Sequence, residues 1–449
     1  MPRQLTALAI GAFKSFDPAI CFYIEALGQR LIGSGSWELA LLNTAAPRHW
    51  LPDIQLNIME ILAPESLWEV RPPLIEPNPS QRAAVEKCLT RRPWLRRAAD
   101  NLRTAFPHLD QLSAKFRVFQ FFWQIKRLYR QYRPRVVLLW NKFHCQHLVY
   151  DHAAREDGLR LIYMEYGVLP GSFTFDATGQ MGESFPAMHS SVFNSLPVTD
   201  VQTSQMAHHL KDLKQSELNP KPQPPKGCSS ELVGRLVKGR PIIFYAGQND
   251  CDAGLVPYTQ EARHLHSPLF SSTLEALKTL DLLADKNDWN LVFKPHPIVE
   301  RNSSQPIDFR LKRAVVLERG DINEIIDLSD LVTTIVSQTA YLALIRDKPV
   351  VMLGHIQLKG SGATYEAFDT EALETTFRQA LTAGLTLEQK RAFVSHCARL
   401  GRYYLYAMSP DKALSAYSGT VNDLADLIMI TGSDSPGFYC PQIKASDHP

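Results

Sequence analysis

Short apolar runs alternate with longer segments of helical periodicity along most of the chain. In the first part, the runs that indicate strands are Leu5–Gly11, Leu39–Asn43, Val136–Trp140 and Leu161–Glu165. A helical segment lies between the last two runs and ends at Gly158. Because strands that alternate with helices form parallel βαβ units, the pattern predicts a Rossmann-like domain over residues 1–222.

The same alternation resumes after a proline-rich segment. Residues 219–227 hold four prolines in nine positions, which excludes a helix interior or a central strand, so we interpret them as an interdomain linker. The later strand candidates are Pro241–Ala246, Asn290–Lys294, Ala314–Leu317, Leu331–Ile335 and Pro349–Leu353. This second set predicts a doubly wound α/β domain over residues 223–385.

The rest of the pattern is helical over residues 386–430 and rich in turn residues over 431–449. We expect the helices to pack back across both domains and the tail to be loose. Two Rossmann-like domains joined by a proline-rich hinge describe the α/β architecture called GT-B. Open α/β sheets bind ligands outside the carboxyl ends of their strands, so the candidate residues are those that follow strands and face an interdomain cleft.

Composition narrows the class of protein. The 449 residues carry 48 Lys and Arg against 46 Asp and Glu, and a net charge of +2 gives no global case for nucleic-acid binding. No apolar run approaches the ~20 residues that cross a bilayer, and we expect no signal peptide at the N-terminus. The seven cysteines are widely spaced without a C-x-x-C pair, which argues against a zinc site and favours the cytoplasm.

Two acidic segments follow predicted strands. Glu165 closes one strand and is followed by Gly167, so its carboxylate is a candidate general acid or base, with an exposed loop glutamate as the alternative. The segment from Gln248 to Asp252 follows the strand that ends at Ala246. A carboxylate there suits the nucleophile of a two-step glycosyl transfer, and an Asx-rich turn is the alternative.

Two further segments carry groups that suit anions. Lys294 and His296 alternate with prolines after a strand. Each proline restricts the backbone of the residue before it, so the segment is stiff. It suits binding of a phosphate or carboxylate, and a rigid edge loop is the alternative. Ser337 stands where it would cap the next helix, whose N-terminus suits a phosphate. The glycines of the later loop Gly354–Thr364 allow it to fold around a ligand.

Residues 111–150 contain eight Lys and Arg, no Asp or Glu, and interleaved aromatic residues. A basic amphipathic helix of this kind suits an anionic membrane surface, and a helix with core aromatics and solvated charges is the alternative. The chain lacks a P-loop and the motifs G-x-G-x-x-G, G-x-S-x-G and H-E-x-x-H, which weakens kinase, dehydrogenase, serine-hydrolase and metalloprotease interpretations.

Taken together, these segments resemble the bacterial capsule polysaccharide biosynthesis family, the retaining β-Kdo glycosyltransferases with a GT-B fold. The matching pieces, in order, are E-x-G…P…D-x-x-G from Glu165 to Gly179, Q-x-x-x-D from Gln248 to Asp252, K-P-H-P from Lys294 to Pro297, and S-Q…K-P-V from Ser337 to Val350. The resemblance covers roughly residues 130–365.

The resemblance implies a retaining, metal-independent enzyme without a cofactor that uses CMP-Kdo or a related nucleotide sugar. It implies Asp252 as the nucleophile of a double displacement and Glu165 as the acid/base or a substrate ligand. Lys294 and His296 would neutralise the donor phosphate or the sugar carboxylate. The other positions that it assigns to donor or substrate binding are Gln248, Ser337, Gln338, Gly167 and Asp176.

One departure and two alternatives accompany the resemblance. Where the family carries Gly and a ribose-binding Glu, this chain has Ala340 and Leu342. The alternatives are a CDP-glycerol-type glycerophosphotransferase and a catalytically inactive GT-B glycan-binding protein. The expected partners are a nucleotide sugar, a glycan or lipid-linked acceptor and an anionic membrane surface, with no nucleic acid. The expected location is the cytoplasm, peripheral to the inner membrane.

Overall fold

The computed structural model contains two sheets with helices on their faces. It describes residues 7–12, 18–43, 59–62, 77–106, 108–143, 145–217, 219, 224–255, 264–296, 311–317, 319–408 and 416–431. The start of the first predicted strand, residues 220–223 of the proline-rich linker, Pro297 and the predicted tail from residue 432 lie outside these ranges.

The strands occur in two groups along the chain. The first group is β1 (Ala7–Ala12), β2 (Trp37–Asn43), β3 (Met59–Leu62), β4 (Val136–Trp140), β5 (Arg160–Tyr166) and β6 (Ser172–Asp176). The second group is β7 (Ile242–Ala246), β8 (Asn290–Lys294), β9 (Ala314–Val316), β10 (Leu331–Thr334), β11 (Val350–Met352) and β12 (Tyr365–Glu366), followed by β13 (Leu405–Ala407).

Helices connect most of these strands. Those of the first half are α1 (Pro18–Gly33), α2 (Pro79–Arg91), α3 (Pro93–Ala105), α4 (Gln111–Tyr132), α5 (Cys145–Glu156), α6 (Phe185–Met188), α7 (Ser190–Ser195) and α8 (Asp200–Ser216). Those of the second half are α9 (Cys228–Arg235), α10 (Thr273–Asn287), α11 (Ile322–Leu328), α12 (Thr339–Ile345), α13 (Thr370–Ala383), α14 (Leu387–Tyr403) and α15 (Val421–Thr431).

The sheet topology agrees with the predicted fold class. The first sheet has the order β13-β6-β5-β4-β1-β2-β3, with only the β13–β6 and β6–β5 pairings antiparallel among the described strands. The second sheet has the order β12-β11-β10-β7-β8-β9, and its described pairings are parallel. Central strands such as β4 are continuously apolar because helices cover both faces of a parallel sheet.

Helix α4 carries the basic and aromatic stretch. Its residues Phe116, Phe121 and Phe122 are buried in the core of the first domain, so most of its aromatic side chains serve packing. Lys126 is also buried and bonds to the Asp157 carboxylate, while Trp123 is 40% exposed. No helix in the described ranges has the length and hydropathy to span a membrane. Contact of α4 with a membrane surface stays a prediction.

The chain enters the second core earlier than the sequence pattern indicates. Phe193 of α7 and Met206 and Leu210 of α8 pack in the same core as the second sheet. The packing therefore assigns the segment 185–216 to the second domain, whereas the apolar pattern places the boundary at residue 222. The pattern missed this because α7 and α8 precede the proline-rich segment but lie against α12 and α14.

The C-terminal segment returns to the first domain. Strand β13 pairs antiparallel with β6, and α15 packs against α1. The hydroxyl of Tyr23 in α1 donates to the carbonyl of Ala407 in β13. The chain thus crosses from one core to the other and back, and each domain contains segments from both halves of the sequence.

Candidate functional site

The carboxyl edges of the two sheets meet, and side chains from one edge bond to the other. The amide Nδ2 of Asn141, directly after β4, donates to the carbonyl of Asp252 at 3.2 Å. The amide Nε2 of Gln338, after β10, donates to the carbonyl of Tyr166 at 3.2 Å. These two bonds, each between residues more than a hundred positions apart in sequence, place the predicted motifs of both domains at one cleft.

Asn141 also holds the carboxylate of Glu165. Its Nδ2 donates to Glu165 Oε2 at 3.0 Å, and the backbone N–H of Tyr166 donates to Oε1 at 3.1 Å. Asn141 is buried, with φ at 28°, in the left-handed region that asparagine tolerates better than most residues. One amide nitrogen therefore connects the candidate acid/base to the candidate nucleophile segment. The sequence pattern did not single out Asn141, although it directly follows a buried strand.

Asp252 lies in the turn after β7. The amide Nδ2 of Asn249 donates to its Oδ2 at 3.0 Å, and the Asp252 side chain is half-buried. Asn249 Oδ1 accepts the backbone N–H of Cys251 at 3.2 Å, so the Asx-turn alternative is correct for Asn249. The same turn brings the Asp252 backbone to the first domain, and the role of its carboxylate as a nucleophile stays a prediction.

Asp250 and Gln248 are structural parts of the same turn. Asp250 Oδ2 accepts the backbone N–H of Thr273 at 2.9 Å, and the Thr273 hydroxyl donates to Oδ1, so Asp250 holds the first residue of α10. Burial raises the pKa of the Asp250 carboxyl. The buried amide Nε2 of Gln248 donates to Asp250 at 3.1 Å and to Thr273 at 2.6 Å. Within the described residues, Gln248 Oε1 is buried without a hydrogen-bond partner.

We expect Asp250→Ala to destabilise the protein by about 2 kcal/mol, because it removes the carboxylate that accepts the Thr273 N–H at the start of α10 and leaves the polar groups of Thr273 and Gln248 without that partner. Urea unfolding at pH 7 measures this loss. The matched control is Asp252→Ala in the same turn, where a loss of under about 1 kcal/mol is expected for a half-buried side chain. Equal losses in both variants would contradict the assignment of Asp250 to structure.

Lys294 and His296 follow the neighbouring strand. Lys294 is buried at the end of β8, and its carbonyl accepts the backbone N–H of Gly247 at 2.9 Å. A Cβ at Gly247 would lie 3.0 Å from that carbonyl oxygen, which explains a glycine where the two strands end together. His296 is half-buried two residues further. The Lys294 segment and the Asp252 turn therefore leave adjacent strands at one edge, as their motifs predict.

The segment after β10 differs in detail from the prediction. Helix α12 begins at Thr339 with Gln338 as its N-cap, whereas the sequence pattern gave that position to Ser337. Ser337 Oγ instead accepts the backbone N–H of Thr339 at 3.2 Å and lies 2.9 Å from its hydroxyl. Leu342 is 9% exposed and packs in the core of the second domain, so its side chain makes no ribose contact.

Gly167 and Asp176 support the fold of the site. A Cβ at Gly167 would lie 1.9 Å from Ser172 Oγ, so only glycine allows β5 and β6 to approach here. The buried carboxylate of Asp176 accepts the backbone N–H groups of Thr178 and Phe185, both at 2.7 Å, and the hydroxyl of Tyr404 at 2.9 Å. Burial raises the pKa of Asp176. These contacts assign Asp176 to structure, although the motif implied substrate binding.

A small pocket with a cavity volume of about 40 Å³ lies between the two edges. The first domain contributes Glu165, Tyr166, Val168, Thr174, Gln180 and Met181. The segments after β10 and β11 contribute Val336, Gln338, Ile356 and Gln357, and Tyr404 closes the pocket after α14. The pocket therefore contains Glu165 and Gln338 from the predicted motifs and part of the glycine-containing loop Gly354–Thr364.

A buried ionic cluster joins the domains beside this pocket. Lys142 Nζ bonds to Glu183 Oε2, and His266 Nε2 lies 3.1 Å from Glu183 Oε1. Desolvation by burial opposes ionisation of Glu183, but the hydrogen bond from His266 and the charge of Lys142 outweigh it and lower its pKa to about 2. The sequence pattern gave no signal for this cluster, since its three members lie in separate segments.

We expect Glu183 to make the protein less stable in acid. Its folded-state pKa of about 2 lies below its usual value of 4.5, so its stabilisation is present above about pH 5 and is lost as pH falls toward 2. Between pH 7 and pH 3 the loss should be about 2 kcal/mol, and Glu183→Gln should remove that part of the slope. Urea unfolding at both pH values measures it, with the exposed Glu231→Gln as control. An unchanged slope in Glu183→Gln would contradict the assignment.

Two α/β domains whose strand ends face a common cleft define this protein as a member of the GT-B fold class. The family model described as "Capsule polysaccharide biosynthesis protein" matches residues 257–386. Over that region the chain is similar to the capsule polysaccharide biosynthesis family, in agreement with the resemblance seen in its motifs. No curated protein matches the sequence.

Solved structures of low sequence identity are also similar. Thermosulfurimonas dismutans KpsC, beta Kdo 2,7 transferase, is 17% identical, with 69% of this chain and 88% of that chain covered and a TM-score of 0.42. The beta Kdo 2,4 transferase of the same KpsC is 17% identical, with 66% and 87% covered and a TM-score of 0.43. The glycosyltransferase SnogD from Streptomyces nogalater is 13% identical, with 95% and 100% covered and a TM-score of 0.29.

Proposed function

We propose that this protein is a retaining glycosyltransferase of bacterial surface polysaccharide synthesis, which transfers β-Kdo or a related sugar from a CMP-activated donor. The family match over residues 257–386 supports the class of function. The observation that carries the proposal is the amide of Asn141, whose one nitrogen bonds to the Glu165 carboxylate and to the Asp252 backbone. A double displacement at an anomeric carbon needs two carboxylates in one cleft, one as the nucleophile and one as the acid or base.

In the first step of the proposed reaction, an Asp252 oxygen forms a bond to the anomeric carbon of the donor sugar. The bond from that carbon to the phosphate oxygen breaks, and CMP leaves with the electron pair. In the second step, the acceptor hydroxyl oxygen attacks the same carbon and the bond to Asp252 breaks. Two inversions give net retention of configuration.

Glu165 is suited to the proton transfer of the second step. The acceptor hydroxyl must lose its proton as its oxygen attacks, and a carboxylate within hydrogen-bond reach takes it. Glu165 lines the pocket, and both of its carboxylate oxygens accept hydrogen bonds from the protein. The bonds from Asn141 and Tyr166 also fix its orientation, which lowers the entropic cost of reaching the transition state.

Lys294 and His296 are suited to the negative charges of the donor. A CMP-linked ulosonic acid carries a phosphate and a carboxylate, and cationic donors stabilise the leaving phosphate as charge develops on it. The buried Lys294 lies beside the Asp252 turn on the neighbouring strand. Because Leu342 is buried in the core, the nucleotide ribose must be bound by another group than in the family pattern.

The proposal is tested by offering the purified chain CMP-Kdo and CDP-glycerol in parallel, with a glycan acceptor and with a chelator present. We expect CMP release from CMP-Kdo only, a product with a β linkage by NMR, and no loss of rate in the chelator. Consumption of CDP-glycerol instead would overturn the proposal in favour of a glycerophosphotransferase. No consumption and no CMP binding at millimolar concentration would favour an inactive scaffold.

A further inference from the structure

The basic residues of the chain are concentrated in one part of the first domain. Residues 79–135, which contain α2, α3 and α4, hold 14 of the 48 Lys and Arg but 3 of the 46 Asp and Glu. The rest of the chain therefore has more acidic than basic residues, although the whole protein carries a net charge of +2. Charge that is separated in this way indicates a surface for a polyanionic partner.

Helix α4 presents part of this charge on one exposed face. Trp123, Arg127 and Arg130 follow the i, i+4, i+7 spacing that places residues on the same side of a helix, and all three are exposed. Arg133 and Arg135 continue the exposed charge beyond the end of α4. We call these five residues the α4 face. Among the described residues, no side chain pairs with any of its four guanidinium groups.

Other cations of the same region are paired within the protein. Arg96 and Lys115 both bond to Glu86, with distances of 3.4 and 2.8 Å between their charged atoms. Lys126 is buried and bonds to the Asp157 carboxylate. The α4 face differs from these pairs because its four arginines are exposed and contact no acid in the described part of the chain. Stability of the fold therefore does not explain them.

Trp123 favours a bilayer over other polyanions. Its ring is 40% exposed and lies edge-to-face with Phe122, with centroids 5.1 Å apart, so the core holds it at the surface. Tryptophan prefers the interface of a bilayer, and the planar fork of arginine binds phosphates. Single-stranded nucleic acid needs a series of exposed rings for stacking, whereas Phe116, Phe121 and Phe122 of this helix are buried.

We propose that the α4 face binds the surface of a bilayer that contains anionic phospholipids. The apolar side of α4 is buried in the core of the first domain, so the helix contacts the head groups and only Trp123 reaches toward the acyl chains. The arginines are attracted to the anionic head groups, and this attraction is screened by salt.

The α4 face lies away from the candidate site. Arg135 precedes β4, whereas Asn141 directly follows it, so the two are at opposite ends of this strand. None of the five residues of the face contacts Glu165 or Asp252 among the described contacts. The inference is therefore independent of the proposed reaction, and changes on the face leave the cleft intact.

Vesicle co-sedimentation of the full chain measures this contact. The vesicles contain phosphatidylcholine alone, or phosphatidylcholine with about 30% phosphatidylglycerol, in about 0.1 M or about 0.5 M NaCl at pH 7.5. At low salt we expect the anionic vesicles to bind the protein about tenfold more strongly than the neutral ones, or more. High salt should remove most of this difference, because it screens the attraction between arginine and phosphate.

Variants of the α4 face identify the residues responsible. Arg127→Glu/Arg130→Glu should weaken binding to anionic vesicles about tenfold or more, and Trp123→Ala about threefold. The matched control is Lys211→Glu/Lys278→Glu, which makes the same change of charge at exposed positions on α8 and α10. This control should bind within about twofold of wild type. If the reversal on α4 does not fold, Arg127→Gln/Arg130→Gln replaces it, with an expected loss of about fivefold.

The proposal is overturned if anionic vesicles bind no better than neutral ones, or if the control loses as much binding as the arginine variant. A folded Arg127→Glu/Arg130→Glu or Trp123→Ala variant that binds like wild type would also overturn it. Binding of single-stranded RNA that the arginine variant loses, without binding of vesicles, would assign the α4 face to a nucleic acid instead. No sugar donor is present, so failure of the proposed function does not affect these outcomes.

Discussion

Asp252→Ala is expected to abolish sugar transfer, with a loss of about 10³-fold or more in kcat, because in the proposed reaction an Asp252 oxygen forms the covalent bond to the sugar. The unfolding free energy should stay within about 1 kcal/mol of wild type, since the Asp252 side chain is only half-buried. The measurement is CMP release from CMP-Kdo with acceptor, beside urea unfolding of the same preparation.

Two further variants sharpen this result. Asp252→Asn keeps the hydrogen bond acceptor for Asn249 but not the nucleophile, so it should be as inactive as the alanine variant. Glu165→Gln should slow the second step and let the sugar accumulate on Asp252, which intact mass spectrometry detects. Turnover near the wild-type rate in Asp252→Ala would remove the nucleophile from the proposal and favour a single displacement.

Lys142→Met is expected to destabilise the protein by about 3–5 kcal/mol at pH 7, because it leaves the Glu183 charge buried without its cation. Lys142 is 5% exposed, and Glu183 is also held by His266 of the second domain, so the loss loosens the contact between domains. Urea unfolding measures the loss. The double variant Lys142→Met/Glu183→Gln should recover much of it, since no uncompensated charge remains.

The matched control for this prediction is Lys214→Met. Its partner Asp347 is on the surface, with the two side chains 42% and 49% exposed, and exposed pairs contribute only about 0–1 kcal/mol. We therefore expect a clear difference between the two lysine variants. Similar small losses in both would mean that the cluster at Glu183 does not hold the domains together.

The sequence pattern predicted the strands themselves better than it predicted which strands and helices pack together. The strands β4, β7, β8 and β10 appear within a residue or two of their predicted bounds, because buried parallel strands are short, continuous apolar runs between turn residues. The strands β3, β6, β12 and β13 were not predicted. The strands β3, β12 and β13 lie at the edges of the sheets, and β6 runs antiparallel to β5, so their apolar signal is weaker.

The candidate site shows the same limit. Residues after strands were predicted to share a cleft, and Glu165, Asp252 and Gln338 do come together through Asn141 and Tyr166. The pairs that bring them together join residues far apart in sequence, so no local pattern reveals them. Local motifs also cannot separate a substrate ligand from a structural group. Asp176 belongs to the predicted motif, yet its carboxylate is enclosed by donors from the protein itself.

The return of the chain through β13 has a practical consequence for truncated versions of this protein. Strand β13 covers one side of β6, and Tyr404 just before it supplies a donor to the Asp176 carboxylate. A version that stops before Tyr404 would expose a bare sheet margin, which templates aggregation, and would leave a buried acid short of a donor. Expression of the N-terminal half alone should therefore fail unless residues 404–431 are attached to it.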